Sequence, residues 1–206
     1  MASSRLRLLG AIVLACAACA GPGATTHLAG SRLALTSAGG EVVALEALRA
    51  GRDATVLVFW SAGCPCVRRY QARVDALLDA FPADRVRVIG VASNAGEPLA
   101  EVLAAASERR VRIPIYRDED GAVAEALGAR STPTVVVLDR RGEVRFLGWL
   151  DNERQPGEPG RQPWLEQALG GLLAGRSDFA ARTPVYGCAI TRSLFGPTPG
   201  PCCTSH

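Results

Sequence analysis

The 206-residue chain is 48% hydrophobic and 21% charged, which fits one globular domain with extra terminal segments. Its formal net charge of +3 loses two arginines and no acid with the N-terminal leader, so the mature chain is close to neutral and gives no basis for nucleic acid or an acidic surface as partner. Aromatics make up only 5%, so Val, Leu, Ile and Ala must build the core; every basic residue is arginine, which reads as coding bias.

Residues 1–20 read as an export signal. Arg5 and Arg7 form a basic start, Leu8–Cys16 is a short apolar run, and small residues follow to Ala20. The run is too short for a permanent membrane span. Cys16 and Cys19 stand where a bacterial lipoprotein is cleaved and acylated, and ordinary cleavage is the alternative. The expected location is therefore the periplasm or the outer face of a bacterial membrane, with attachment through a lipidated Cys16 or Cys19 in the first case. Residues 21–30 are small and polar and read as a tether. Five cysteines remain beyond the leader: Cys64, Cys66, Cys188, Cys202 and Cys203. In an oxidising compartment they are expected to form or exchange disulfides, and an odd number leaves one over.

A domain is expected over 31–175. Arg32–Thr36 and Glu41–Leu45 flank Ser37-Ala38-Gly39-Gly40 as a hairpin, and Glu46–Arg49 is a turn of helix. Ala54–Trp60 is a buried strand, and Pro65 to Ala80 is a helix with Val67, Tyr70, Val74 and Leu77 at helical spacing. Val86–Val91 is a second buried strand, and a helix follows from Pro98. Ile113-Pro114-Ile115-Tyr116 reads as an edge strand, because proline cannot donate to a central ladder. A small helix runs from Asp120-Gly121 to Leu127. Thr134–Leu138 and Glu143–Leu147 flank a turn at 140–142, and the last helix covers Pro163–Leu173. The order implies an α/β sheet with helices on both faces. Residues 176–206 lack periodicity and read as an extended tail carrying three of the cysteines.

The chemistry concentrates at Trp60-Ser61-Ala62-Gly63-Cys64-Pro65-Cys66, where the buried strand turns into the helix. Pro65 suits the first helical position, which puts Cys64 at the N-cap and Cys66 just inside. Unpaired amide N–H groups and the positive end of the helix dipole favour a thiolate there, so Cys64 is the expected nucleophile. A Cys64–Cys66 disulfide would close a very small, strained ring, and Cys188 is the rival partner. A soft metal on these thiols is a third reading, although no His or Met lies near the turn. Cys202, Cys203 and His206 read as a terminal segment with adventitious thiols.

These residues resemble the thioredoxin-like superfamily. Phe59-Trp60-Ser61-Ala62-Gly63-Cys64 is similar to its active-site entry, and Ser131-Thr132-Pro133-Thr134-Val135-Val136-Val137-Leu138-Asp139 to its cis-proline strand. More narrowly, Gly148–Asp151, Pro163–Leu173 and Gly187-Cys188-Ala189-Ile190 are similar to late segments of alkyl hydroperoxide reductase/thiol-specific antioxidant redoxins. The resemblance implies a thioredoxin-like central mixed sheet flanked by helices, with an N-terminal hairpin and an extended C-terminal tail. It implies catalysis by Cys64 with Cys66 or Cys188, and substrate contacts from Trp60, Thr132 and a cis-bonded Pro133. Two departures stand out: the cysteines are spaced Cys-x-Cys rather than Cys-x-x-Cys, and Val58 replaces the buried acid that precedes Phe-Trp in thioredoxins. The expected activity is thiol–disulfide exchange outside the cytoplasm on protein thiols or disulfides, fed by a membrane or periplasmic electron donor, without cofactor or metal. The alternatives are a thiol peroxidase, for which Ser61 and Arg130 are the supporting residues, and a copper or soft-metal binder.

Overall fold

A computed structural model describes residues 32–155, 157 and 159–192. The leader, the tether and Cys202, Cys203 and His206 lie outside the described residues.

The fold is built on β3 (Ala54–Phe59), all six of whose residues are buried. Its side chains alternate between two apolar clusters, as a strand's period of two demands. Ala54, Val56 and Val58 pack on one face with helices α2 (Pro65–Ala80) and α5 (Trp164–Leu173). Leu57 and Phe59 pack on the other with α1 (Leu45–Arg49) and α4 (Ala122–Leu127). A strand covered on both faces reads as a continuous apolar run, as this one does. Helix α2 buries Val67, Tyr70, Val74 and Leu77, one stripe at i, i+3, i+7 and i+10. Each such buried Val or Leu side chain stabilises the fold by roughly 1.5–3 kcal/mol.

The other strands are β1 (Ala34–Thr36), β2 (Val42–Ala44), β4 (Val86–Ala92), β5 (Ile115–Arg117), β7 (Thr134–Asp139) and β8 (Val144–Gly148). They form one sheet in the order β2-β1-β5-β4-β3-β7-β8. Strands β3, β4 and β5 run parallel, and β7 lies antiparallel to β3 with Phe59 opposite Thr134. The order moves one way from β3 to β5, so α2 and α3 (Leu99–Glu108) both reach the same apolar cluster. The sheet is mixed and flanked by helices, with the N-terminal hairpin at one edge.

One expectation changes. Strand β5 is interior, between β1 and β4, rather than an edge. The ladder accommodates Pro114 because it sits just ahead of β5 and only accepts, taking the Gly90 N–H on its carbonyl at 2.9 Å. The tail is extended, as expected, and is tied down as far as residue 192. It runs along β8, where Leu147 N–H donates to Ala181 O and Thr183 N–H to Leu147 O. It then forms β9 (Cys188–Ala189), which pairs antiparallel with β6 (Ser131–Thr132) in a separate two-stranded sheet. No hydrophobic periodicity announces this, because the tail is held by backbone pairing.

Candidate active site

Parallel strands bring their C-terminal loops side by side, and such loops are where α/β sheets hold ligands. The loop after β3 ends at Cys64, the N-cap of α2, with Pro65 at the first helical position. Sixteen residues of helix aim their positive end at this sulfur, and no acid occupies the first turn to oppose it. Cys64 is nonetheless only 2% exposed. Its Sγ donates to the Thr132 carbonyl at 3.1 Å. The Thr132–Pro133 peptide is cis, and the Pro133 carbonyl is held by the Trp149 indole N–H at 2.9 Å.

Cys188 reaches the same place by register. It lies directly opposite Thr132 in the β6–β9 pair. Burial pushes the Cys64 thiol up, but contacts with the Cys188 and Thr132 side chains and with the Val67 and Cys188 N–H groups outweigh it, so the thiol ionises more readily than an ordinary cysteine. Thr132 is fully buried and its hydroxyl has no fixed partner. A thiolate at Cys64 would give that hydroxyl an acceptor. Gly187, just before Cys188, has φ of +149°, and a Cβ there would run into the Thr132 carbonyl. Only glycine lets the tail come this close.

A second set of residues fixes the loop. Glu97, after β4, accepts the Ser61 hydroxyl at 2.6 Å and the Ala62 and Gly63 N–H groups at 3.1 and 2.9 Å. Arg109 donates to the Ala62 carbonyl and lies 5.4 Å from the centre of the Trp60 ring. On the far side, Tyr70 of α2 donates to Glu153 O and stacks obliquely on Trp149 at 4.8 Å. Tyr186 of the tail meets the other side of Trp149 at 4.9 Å. Burial pushes the Tyr70 hydroxyl up to about 12, so it stays a donor at all ordinary pH. Arg73 and Arg161 hold the fully buried Asp151 at 2.6 and 3.0 Å.

The structure thus brings together Cys64, Thr132, Pro133 and Cys188. Cys66 is the second helical residue and is buried in the same apolar cluster as Cys64, against which Cys188 also packs; the Cys64 sulfur faces β6. Trp60 is 1% exposed, with its N–H on Gln71 Oε1 at 3.2 Å, and lies beneath the loop. Val58 is buried among apolar neighbours, so no acid takes the place it fills. Glu97 and Arg109 were not expected. The legible signal for Glu97 was topological, since a loop after β4 must neighbour the loop after β3 once the two strands pair in parallel. Among the described residues no group of three or more His, Cys, Asp or Glu side chains is arranged to hold a metal. No helix among them is long and apolar enough to cross a membrane. A cleft of about 440 Å³ lined by Arg49, Arg52 and Arg140 lies near the start of β3, at the opposite end from Cys64.

The sequence profile of the AhpC/TSA family matches residues 29–147. The chain belongs to that family. Thiol-disulfide oxidoreductase ResA of Halalkalibacterium halodurans is 30% identical over 88 residues, 43% of this chain and 49% of that protein. The chain therefore aligns with about half the length of this curated relative. Two solved structures are similar over most of the AhpC/TSA chain. An uncharacterised conserved protein of Geobacillus kaustophilus is 28% identical, with a TM-score of 0.69 and coverage of 81% of this chain and 89% of that one. A hypothetical protein of Sinorhizobium meliloti 1021 is 25% identical, with a TM-score of 0.68 and coverage of 79% and 91%. A putative thioredoxin of Neisseria meningitidis, 22% identical with a TM-score of 0.56 over 75% of this chain and 93% of that one, shows the thioredoxin-like fold alone.

Proposed function

We propose that this AhpC/TSA-family chain is a thiol–disulfide oxidoreductase working outside the cytoplasm, with Cys64 as nucleophile and Cys188 as the resolving thiol. The observation that carries the reading is the Cys64 sulfur at a helix N-terminus, facing the cis-Pro strand with the Cys188 side chain beside it. The ResA relative, a thiol-disulfide oxidoreductase by name, supports the activity. Residues 1–20, read as an export signal from their sequence, support the compartment, and a lipidated Cys16 or Cys19 would hold the domain at a membrane surface near an electron donor.

The Cys64 thiolate attacks one sulfur of a partner disulfide, forming a mixed disulfide and releasing the other partner sulfur as a thiolate. The Cys188 thiolate then attacks Cys64, and the Cys64–Cys188 disulfide forms as the second partner thiolate leaves. The partner gains two electrons, the pair of cysteines loses them, and the reverse sequence oxidises a partner dithiol. Cys66, on the helix beneath, is the alternative resolving residue. A peroxidase reading draws less support, because the Ser61 hydroxyl is committed to Glu97 and Arg130 is exposed.

The test is reduction of insulin disulfides under dithiothreitol by the mature chain, alongside Cys64→Ser, Cys66→Ser and Cys188→Ser. Cys64→Ser is expected to lose activity entirely, Cys188→Ser to lose turnover while trapping a mixed disulfide, and Cys66→Ser to retain most activity. Wild-type turnover by Cys64→Ser would sink the proposal.

A further inference from the structure

Strand β6 is the edge that faces Cys64, and the chain's own tail already fills it. Ser131 pairs with Ala189 and Thr132 with Cys188, and Ile190 N–H extends the ladder to Arg130 O at 2.9 Å. The tail is tied on both sides of this pair. Upstream, Trp149 N–H donates to Thr183 Oγ1 at 3.1 Å, and Tyr186 lies against Trp149 with the Arg154 guanidinium 4.2 Å from its ring centre. Downstream, Ala95 N–H donates to Thr191 O at 2.9 Å, Thr191 N–H to Asn94 Oδ1 at 3.1 Å, and Arg192 pairs with Glu125 at 2.9 Å.

The strap and what lies under it differ sharply in burial. Every residue from 181 to 192 is exposed or half-buried, whereas Cys64, Thr132 and Trp149 beneath are at most 2% exposed. A segment held mainly by backbone pairing, whose apolar contacts with the core come only from the half-buried Val185, Cys188 and Ile190, opens locally long before the domain unfolds. The nucleophile, in contrast, has no path to a partner while the strap is down. An extended polypeptide is the ligand that an open strand edge takes, by adding one strand to it.

We infer that residues 182–192 are a displaceable internal competitor for the partner polypeptide: the strap occupies the β6 edge, lifts to admit an extended disulfide-bearing segment, and on returning carries Cys188 onto Cys64. The inference rests on the proposed exchange chemistry and deepens it. In the mixed disulfide, return of the strap delivers the Cys188 thiolate to Cys64 Sγ; the Cys64–Cys188 bond forms, the Cys64–partner bond breaks, and the partner leaves as a thiolate. Re-formation of the β6–β9 pair also evicts the partner's backbone, so chemistry and release are one movement. The missing side chain at Gly187 sets a further condition. A partner strand that sits in this register must carry a small residue, glycine above all, immediately before its cysteine.

The experiment reads access to Cys64 without any redox turnover. The full mature chain carrying Cys188→Ser is treated with N-ethylmaleimide, and modification of the Cys64 peptide is followed by mass spectrometry. Adding Gly187→Val, which cannot approach Thr132, is expected to speed Cys64 modification by about tenfold or more, the loss of one or two backbone hydrogen bonds. Thr183→Ala, which frees the upstream tie, is expected to give a smaller acceleration, about two- to tenfold. A synthetic peptide of residues 182–192 with serine at 188 should slow the Gly187→Val chain again, while the same peptide with valine at 187 should not. Equal modification rates in all three chains, with unchanged circular dichroism, would overturn the strap while leaving exchange through Cys64 intact. Loss of insulin reduction in the wild-type chain with the accelerations preserved would do the reverse.

Discussion

Thr132 and Cys188 face one another across an antiparallel pair, and the Cys64 sulfur donates to the carbonyl of that same Thr132 at 3.1 Å. A single peptide unit thus positions both thiols, one on its carbonyl and one across its ladder. Cys188 is 124 positions from Cys64 in the chain but is delivered by strand register rather than by diffusion of a loop. Groups held in this way react as if at very high local concentration.

The first consequence is the disulfide that forms. Mild oxidation of the reduced mature chain with diamide, followed by peptide mapping, is expected to give Cys64–Cys188 as the dominant intrachain link. Cys66 should remain open to alkylation once the protein is unfolded. A dominant Cys64–Cys66 peptide would return the resolving role to the helix.

The second concerns pH. Burial raises the Cys64 thiol, and the Cys188 and Thr132 contacts with the Val67 and Cys188 N–H groups lower it by more. Alkylation of Cys64 should therefore rise with pH to a midpoint below that of the same cysteine in the unfolded chain and then level off. Cys188→Ala, which deletes one of the compensating contacts, should move the midpoint upward. The same sign governs folding. A depressed native value contributes stability that is fully present above the unfolded thiol's pKa and is lost as pH falls through the native one. A wild-type midpoint at or above that of the urea-unfolded chain would contradict this reading.

The third concerns Glu97, whose carboxylate gathers the Ser61 hydroxyl and two loop N–H groups. Glu97→Ala leaves the two amides and the hydroxyl without their charged acceptor. Hydrogen bonds to a charged group are worth about 1.5–3 kcal/mol each, and water at this half-open loop recovers part of that. Urea unfolding should show a loss of roughly 1–3 kcal/mol. If Glu97 positions the loop, insulin reduction should fall as well and Glu97→Gln should restore part of it, since its amide oxygen still accepts. Stability lost with full activity retained would assign Glu97 a purely structural role.

The scaffold was readable from sequence where one residue pattern answers to one local force. Five apolar residues before a Gly-Cys-Pro turn can only be a covered strand entering a helix, and the Thr132-Pro133 block marked the facing strand. What escaped was set by pairing between segments far apart. Pro114 suggested an edge, because its inability to donate was legible while its position ahead of the strand was not. The strap had no signal beyond Gly187-Cys188, because backbone ladders leave no mark in the side chains that make them.

The last prediction concerns the support behind the site. Asp151 is fully buried, and Arg73 of α2 contacts both of its oxygens, at 2.6 and 2.7 Å. The same guanidinium pairs with Glu153 at 2.8 Å and lies 4.6 Å from the centre of the Tyr70 ring. Removing one partner of such a pair costs about 3–5 kcal/mol, because a carboxylate is left in a site that water does not reach. Arg161 remains at 3.0 Å, so Arg73→Ala should fall near the lower end of that range. Replacing both members, Arg73→Met with Asp151→Asn, should recover only part of the loss, because it neutralises position 151 but still leaves Glu153 without its Arg73 partner. Because Arg73 and Tyr70 lie on one face of α2, the single variant should also loosen the Tyr70–Trp149–Tyr186 stack and speed maleimide modification of Cys64. Destabilisation by Arg73→Ala of under about 1 kcal/mol in urea, the scale of an exposed pair, would show that the ion pair is open to water after all.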